Sequence, residues 1–210
     1  MSDVDGELTR PSDTAGRHLV VAVGSNASPE VMRTKLARVA TGEPGPPMAR
    51  VTLSHLAVGH SAHVSARGYI PAAPYHAPEA TLHTVGAWLT DAEATMLDHT
   101  EPNYRRVKLS ARDHPGIHDT AASFWVYVSL HGVLADPDAD PVPLGTQAEI
   151  FDWLGTRIAD HALRGPTTEV CRRLADPRVG ARVSAAMRSA GLSRPATLPL
   201  PDLETGSAPR

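Results

Sequence analysis

Hydrophobic and polar positions alternate in three distinct ways along the chain, and each way predicts a different element. Residues 18–23, His-Leu-Val-Val-Ala-Val, form a short unbroken apolar run rich in β-branched side chains, the pattern of a strand covered on both faces. Gly24, Ser25 and Asn26 end that run. Ser28, Pro29 and Glu30 follow as a capping residue, a proline at the first helical position and an acid in the first turn, and Met32, Leu36 and Val39 then recur at helical spacing. The chain therefore opens as strand, tight loop, helix. Residues 48–65 and 84–89 read as strands, the first studded with histidine. Thr90 and Glu93 have the spacing of a capping box and predict a helix through Met96 and Leu97. Pro102 ends that helix at Glu101, because the residue before a proline is steered away from helical geometry. Residues 104–109 and 124–134 are strands by alternation, with Phe124, Val126, Val128 and Leu130 on one face and Trp125 and Tyr127 on the other. Residues 146–163 carry Ile150, Trp153, Leu154 and Ile158 on one helical stripe, and residues 167–192 add further helix broken near Pro177. Strands in the first two thirds and helices in the last third predict the α+β class.

The two ends lack any such period. Residues 1–17 mix Ser, Asp, Gly and Pro, and the stretch from Arg194 onward contains Pro195, Pro199, Pro201 and Pro209, so both are expected to be disordered. That leaves a single domain over residues 18–193 with a helical extension from about residue 146, and 210 residues suit one domain. Residues 42–47 and 136–143 are proline-rich surface connections. With 20 Lys+Arg against 23 Asp+Glu the chain has no field that would draw it to nucleic acid or anionic lipid. Cys171 is the one cysteine, which excludes an intrachain disulfide and suits a reducing cytoplasm. No stretch approaches the roughly 20 apolar residues of a membrane span, and the opening residues lack the apolar run of a secretory leader. A cytoplasmic protein is the expectation.

Chemistry concentrates at two places. Gly24-Ser25-Asn26 lies between a buried strand and a helix N-terminus, a junction that aims unpaired amide hydrogens and the positive end of a helix dipole at one point, where a carboxylate or phosphate would rest. The glycine spacing of a dinucleotide fold and the Gly-Lys-Ser/Thr of a phosphate loop are both missing, and a plain turn is the bland alternative. Glu101, fixed at a helix exit by the following proline, is placed to move protons, with Asp98 one turn earlier expected to repel it. Three weaker candidates remain. His55 and His63 share one strand parity and His60 the other, so these three cannot converge on a metal, whereas His114 and His118 sit in an acidic Pro-Gly loop that would suit a divalent ion. Ser25 lacks the Gly-x-Ser-x-Gly elbow of an acyl-transfer nucleophile. Cys171 reads as a packing residue, though Arg172 and Arg173 beside it would favour a thiolate.

Taken in order, Gly24-Ser25-Asn26-x-x-Pro29-Glu30 after the opening strand, Val85-Gly86-Ala87-Trp88-Leu89 before a short helix, and Leu97-Asp98-His99-Thr100-Glu101 followed by Tyr104-Arg105-Arg106-Val107 resemble the γ-glutamylcyclotransferase-like family. The resemblance covers about residues 19–109 and, more faintly, 124–134. It implies a small mixed β-barrel with flanking helices, in which Val23, Gly24, Ser25, Asn26 and Ala27 hold the amino-acid end of a substrate through backbone amides. Glu101 falls on the family's catalytic glutamate and Tyr104 on the tyrosine that lines its pocket. The implied reaction is intramolecular attack of an α-amine on a γ-glutamyl carbonyl, with Glu101 as proton shuttle, releasing 5-oxoproline and an amine without metal or organic cofactor. Two positions depart from the family pattern: Val23 stands where tyrosine is usual, and Pro102 where glycine is usual. Tyr69, in a segment that would form the far wall together with Arg67, is the candidate to replace the lost phenol; Arg67 reads equally as a solvated surface cation. Two other readings stay open, a non-catalytic member of the same fold that binds a small molecule or protein, and a metal-dependent hydrolase built on His114 and His118. The C-terminal helices match no motif and either cover the pocket or offer a surface to a second copy.

Overall fold

A computed structural model of the chain describes residues 14–39, 45–116 and 122–198. The opening apolar run is β1 (His18–Ala22), followed in chain order by β2 (Met48–His60), β3 (Ala72–Leu89), β4 (Tyr104–Ser110) and β5 (Ser123–Ser129). These five strands make one mixed sheet in the order β2-β3-β1-β5-β4. β1 pairs antiparallel with β3 and parallel with β5, so it has a strand on each edge. Its faces are covered too. Leu19 and Val21 pack with Leu53, Leu56, Phe124 and Val126 in one core, and Val20 packs with Met32, Leu97 and Tyr127 in another. That double cover is why the run is apolar at nearly every position rather than at alternate ones.

Two helices supply the second cover. α1 (Pro29–Leu36) buries Met32 and Leu36, and α2 (Asp91–Thr100) buries Ala94 and Leu97. The alternation in β5 falls as expected, with Phe124, Val126 and Val128 inside the curl of the sheet and Tyr127 on the helix side. Leu130 departs from it: the strand stops at Ser129 and Leu130 stands 48 % exposed in the turn that follows.

The expected barrel is corrected to an open sheet. β2 and β4 are its edges, and a loop rather than a strand ladder spans the gap between them. The Ser54 amide donates to the Pro115 carbonyl at 2.7 Å, and the Nδ1 atoms of His114 and His55 lie 3.2 and 2.9 Å from the carbonyls of Ser54 and Asp113. The physical reason is a bulge between Ser54 and Leu56, with His55 at φ 63°, which bends β2 and breaks its outer edge. The same bulge, together with the end of β2 at His60, removes the simple strand parity expected for His55, His60 and His63.

β3 begins twelve residues before the stretch at 84–89 that sequence alone marks as strand, and its first part contains Pro74 and Pro78. Both prolines are tolerated for a tertiary reason. β1 pairs with β3 only from Val85 to Leu89, so at Pro74 β3 has no strand ladder along that edge, and Pro78 falls within residues 77–80, which the β2 ladder skips.

The last third forms α3 (Gln147–Gly155), α4 (Thr167–Leu174) and α5 (Pro177–Ser189), with a core of Ile150, Leu154, Val170, Leu174, Val183 and Met187 that also takes in Ile70 and Leu134. The helix expected through Leu163 stops at Gly155, and a separate 3-10 turn, His161–Leu163, is capped by Asp160. Trp153 packs against this core with the Arg157 guanidinium 4.0 Å over its ring. A two-stranded ribbon, β6 (Val133–Leu134) with β7 (Ser193–Arg194), ties the helices back to the sheet. The tail expected to be structureless from Arg194 is folded as far as Leu198: the Ala196 carbonyl accepts from the His76 amide, and Ala196 and Leu198 are buried in the sheet core. Residues 14–17, expected to be disordered with the rest of the N-terminal stretch, are also folded, Arg17 donating to the Trp88 carbonyl and to Glu93, while residues 1–13 and 199–210 lie outside the described residues. Among the described residues no helix is long and apolar enough to cross a membrane.

Candidate functional site

Gly24 turns the chain out of β1 at φ +67°, a conformation that costs a residue with a side chain about 1–2 kcal/mol, and a Cβ there would lie 3.2 Å from that of Ala72. The next residues wind into a single 3-10 turn, Gly24–Ala27, and Ser28 then caps α1, its hydroxyl accepting from the Val31 amide. Gly24 and Ser25 are exposed at the tip, whereas Asn26 is turned inward and buried. The second segment is built as firmly. Thr90 and Glu93 close the capping box of α2, Arg17 anchors Glu93 at 2.9 Å, and at the far end the Glu101 amide donates to Asp98 and its carbonyl accepts from the Tyr104 amide. This turn over Pro102 aims the Glu101 carboxyl at the first loop.

The two segments meet. Asn26 Nδ2 donates to Glu101 Oε1 at 3.0 Å across a separation of 75 residues. Between them stands Lys35, which sequence reasoning missed: its ammonium donates to Asn26 Oδ1 at 2.8 Å and to Glu101 Oε1 at 2.5 Å. The pair is largely covered, with 21 % of the lysine side chain and 15 % of the glutamate side chain exposed. Among the described residues Glu101 Oε2 has no hydrogen-bond partner. One sequence signal pointed to Lys35: the chain contains Lys35 and Lys108 and otherwise only arginines as its permanent cations, so a compact ammonium is the exception here.

Asp98 does not act as the expected repelling neighbour of Glu101. Its two oxygens are held by Arg106 at 2.9 Å each, and the Tyr127 hydroxyl donates to it at 2.7 Å. Burial works against the charge on Asp98, but the Arg106 fork, the Tyr127 hydroxyl and the Arg106 charge together outweigh it, so its pKa lies below the ordinary carboxylate value. A carboxylate depressed on folding contributes stability that is present above its unfolded pKa, about 3.9, and is lost as pH falls through the lower folded value. Asp98→Asn is therefore expected to be less stable than the parent at neutral pH, with a gap that stays constant down to about pH 5 and closes below about pH 4. Urea denaturation of both proteins across that range checks it; a gap that persists at acid pH would show that the charge is not its source.

Tyr104 lies behind Glu101, its hydroxyl donating to the Ala72 carbonyl at 2.8 Å. Burial first, then the nearby Glu101 and Tyr69, push its pKa well above the ordinary phenol value, so it stays a neutral donor. The same coupling places Tyr69, on the connection between β2 and β3, close enough to act on Tyr104, while Arg67 is exposed. Under Tyr104 runs a buried polar chain in which Ser61 Oγ lies 2.6 Å from both His63 Nδ1 and Ser129 Oγ. His63 stacks on His131 at 4.4 Å, and burial together with His131 pushes its pKa down to about 4, so it is neutral at physiological pH. Val23, at the end of β1, lines an apolar hollow with Ala22, Asn26, Met32, Leu97 and Tyr127 on the helix side of the loop. Glu101 does not line that hollow; Asn26 is the residue that touches both.

The other candidates stay apart from this site. Among the described residues no group of three His, Cys, Asp or Glu side chains is arranged to hold a metal ion. His114 packs on Phe124, with His55 and His76 beyond it, and His118 lies outside the described residues. Burial pushes the Cys171 thiol up, against the thiolate that neighbouring arginines would favour, and its side chain packs on the helical core.

No family model and no curated protein matches the chain. Several solved structures do. A solution structure of an Arabidopsis thaliana protein matches over 69 % of this chain and 86 % of its own, at 21 % identity and a TM-score of 0.43. An uncharacterized protein from Homo sapiens matches over 88 % of this chain and 92 % of its own, at 10 % identity and a TM-score of 0.41. A γ-glutamyl cyclotransferase matches over 87 % of this chain and 90 % of its own, at 10 % identity and a TM-score of 0.43. Each is a likeness in the path of the chain, and the chemistry of the Asn26, Lys35 and Glu101 cluster rests on its own geometry.

Proposed function

We propose that this chain cleaves a γ-glutamyl amine, or a closely related small amino-acid amide, by cyclisation. The observation that carries the reading is the contact of Glu101 with Asn26, which sets a carboxyl at a helix exit against the solvent-facing turn after β1. The amino-acid end of the substrate rests on that turn. Glu101 takes a proton from the α-amine, the amine nitrogen attacks the γ-carbonyl carbon, the bond from that carbon to the departing amine breaks, and the same carboxyl returns the proton to the leaving nitrogen. Ring closure asks for placement and one proton shuttle, because nucleophile and electrophile belong to one molecule. Asn26 and Lys35 both donate to Oε1, so Oε2 is the oxygen that carries the proton. In this reading the pocket wall is assigned to Tyr104, a neutral donor, and to Tyr69.

A second reading, a binding protein of the same fold, is favoured by the 2.5 Å ion pair that occupies Glu101. The test is incubation with a panel of γ-glutamyl dipeptides and amides, with and without a chelator, following 5-oxoproline by mass spectrometry. Cyclisation predicts 5-oxoproline from at least one member and no effect of the chelator. Ligand binding without any 5-oxoproline would favour the binder, and loss of activity with the chelator would favour metal-dependent hydrolysis.

A further inference from the structure

We infer that Lys35 determines specificity at this site by reading a free carboxylate on the amino-acid end of the substrate; the inference rests on the reading above and deepens it. The ammonium has three N–H donors, of which Asn26 Oδ1 at 2.8 Å and Glu101 Oε1 at 2.5 Å take two. It touches the turn through Asn26, and 21 % of the lysine side chain is exposed, so the third donor is the one left to meet a ligand resting on that turn. Charge decides what that ligand is. A ligand carboxylate on the turn would stand next to the carboxylate of Glu101, and two like charges at that range repel unless a cation lies between them. Lys35 is that cation. Arg17 and Arg106, on neighbouring elements, are bound to Glu93 and Asp98. An α-amide or ester of the same compound carries no charge for Lys35 to meet, so the site selects substrates whose α-carboxylate is free.

The experiment compares Lys35→Met and Lys35→Arg with the parent in two readouts. One is kcat/KM for a γ-glutamyl amine and for its α-carboxamide analogue. The other is calorimetric binding of 5-oxoproline and of 5-oxoprolinamide, which needs no turnover. The parent is expected to favour the carboxylate member of each pair by about 10-fold or more, the scale of one charge-assisted hydrogen bond. Lys35→Met is expected to bring that ratio to near unity by raising KM and Kd for the carboxylate far more than for the carboxamide, and Lys35→Arg to restore part of it. A parent with no carboxylate preference, or a Lys35→Met protein that keeps the ratio or weakens both ligands equally, overturns the inference. Carboxylate-selective binding that depends on Lys35, in a protein that forms no 5-oxoproline, would sustain it while removing the cyclisation reading.

Discussion

Glu101→Gln is expected to lower kcat/KM for 5-oxoproline formation by about 10²–10⁴-fold, the usual loss when a positioned acid–base group is removed. The amide has the shape of the carboxyl, and its oxygen still accepts from Asn26 Nδ2 and from Lys35, so the local structure has every reason to persist. It has no oxygen that can take and return a proton. The change also removes the counter-charge of a largely covered Lys35, so a loss of stability is expected beside the kinetic one. Initial-rate kinetics beside a thermal melt separate the two effects. Turnover within about tenfold of the parent would remove Glu101 from the chemistry. The contrast with Lys35→Met lies in the choice of ligand: that change also removes a donor from Glu101, but of the two it alone is expected to abolish the preference for a carboxylate over its carboxamide.

Gly68→Ala is expected to cost about 2–5 kcal/mol, combining left-handed strain with overpacking against backbone. Gly68 sits at φ +81°, and a Cβ there would lie 1.9 Å from the Cys171 carbonyl oxygen and 2.7 Å from the Ala175 amide. Neither atom is free to yield. They are bonded to each other at 2.9 Å in closing α4, while the Gly68 amide is itself held by the Ser65 carbonyl. The loss would be a large fraction of the roughly 5–15 kcal/mol that stabilises an ordinary domain. A urea midpoint close to the parent's would show that the turn and α4 can separate without cost. The change should also reach the site, because this turn carries Tyr69, and Gln147 of α3 clamps Ile70 through both its amide and its carbonyl. The C-terminal helices, which match no motif, thus brace the connection that carries Tyr69.

Which parts of this structure were legible in the chain follows from the range of the forces involved. The strand at 18–22, the Ser28 cap with Pro29 behind it, the Thr90–Glu93 box and the break before Pro177 depend on contacts within a few residues, so they are written locally. Alternation gave the faces of Phe124 and Tyr127 for the same reason. The early half of β3 was hidden because Pro74 and Pro78 speak against a strand locally, and only the short reach of β1 makes room for them. Lys35 was hidden because it lies beside a helical core stripe, where a lysine is ordinarily solvated; its partner Glu101 is 66 residues away.

By itself, then, the sequence determined the order and kind of most elements, the turn at Gly24 and the carboxyl at a helix exit. Tertiary structure alone decided that the sheet stays open, that Asp98 belongs to Arg106 and Tyr127 rather than to Glu101, and that Asn26, Lys35 and Glu101 close on one another. Local sterics and capping act over one or two turns of chain. Bringing together groups 75 residues apart depends on burial summed over the whole core, and no short stretch of residues records that sum.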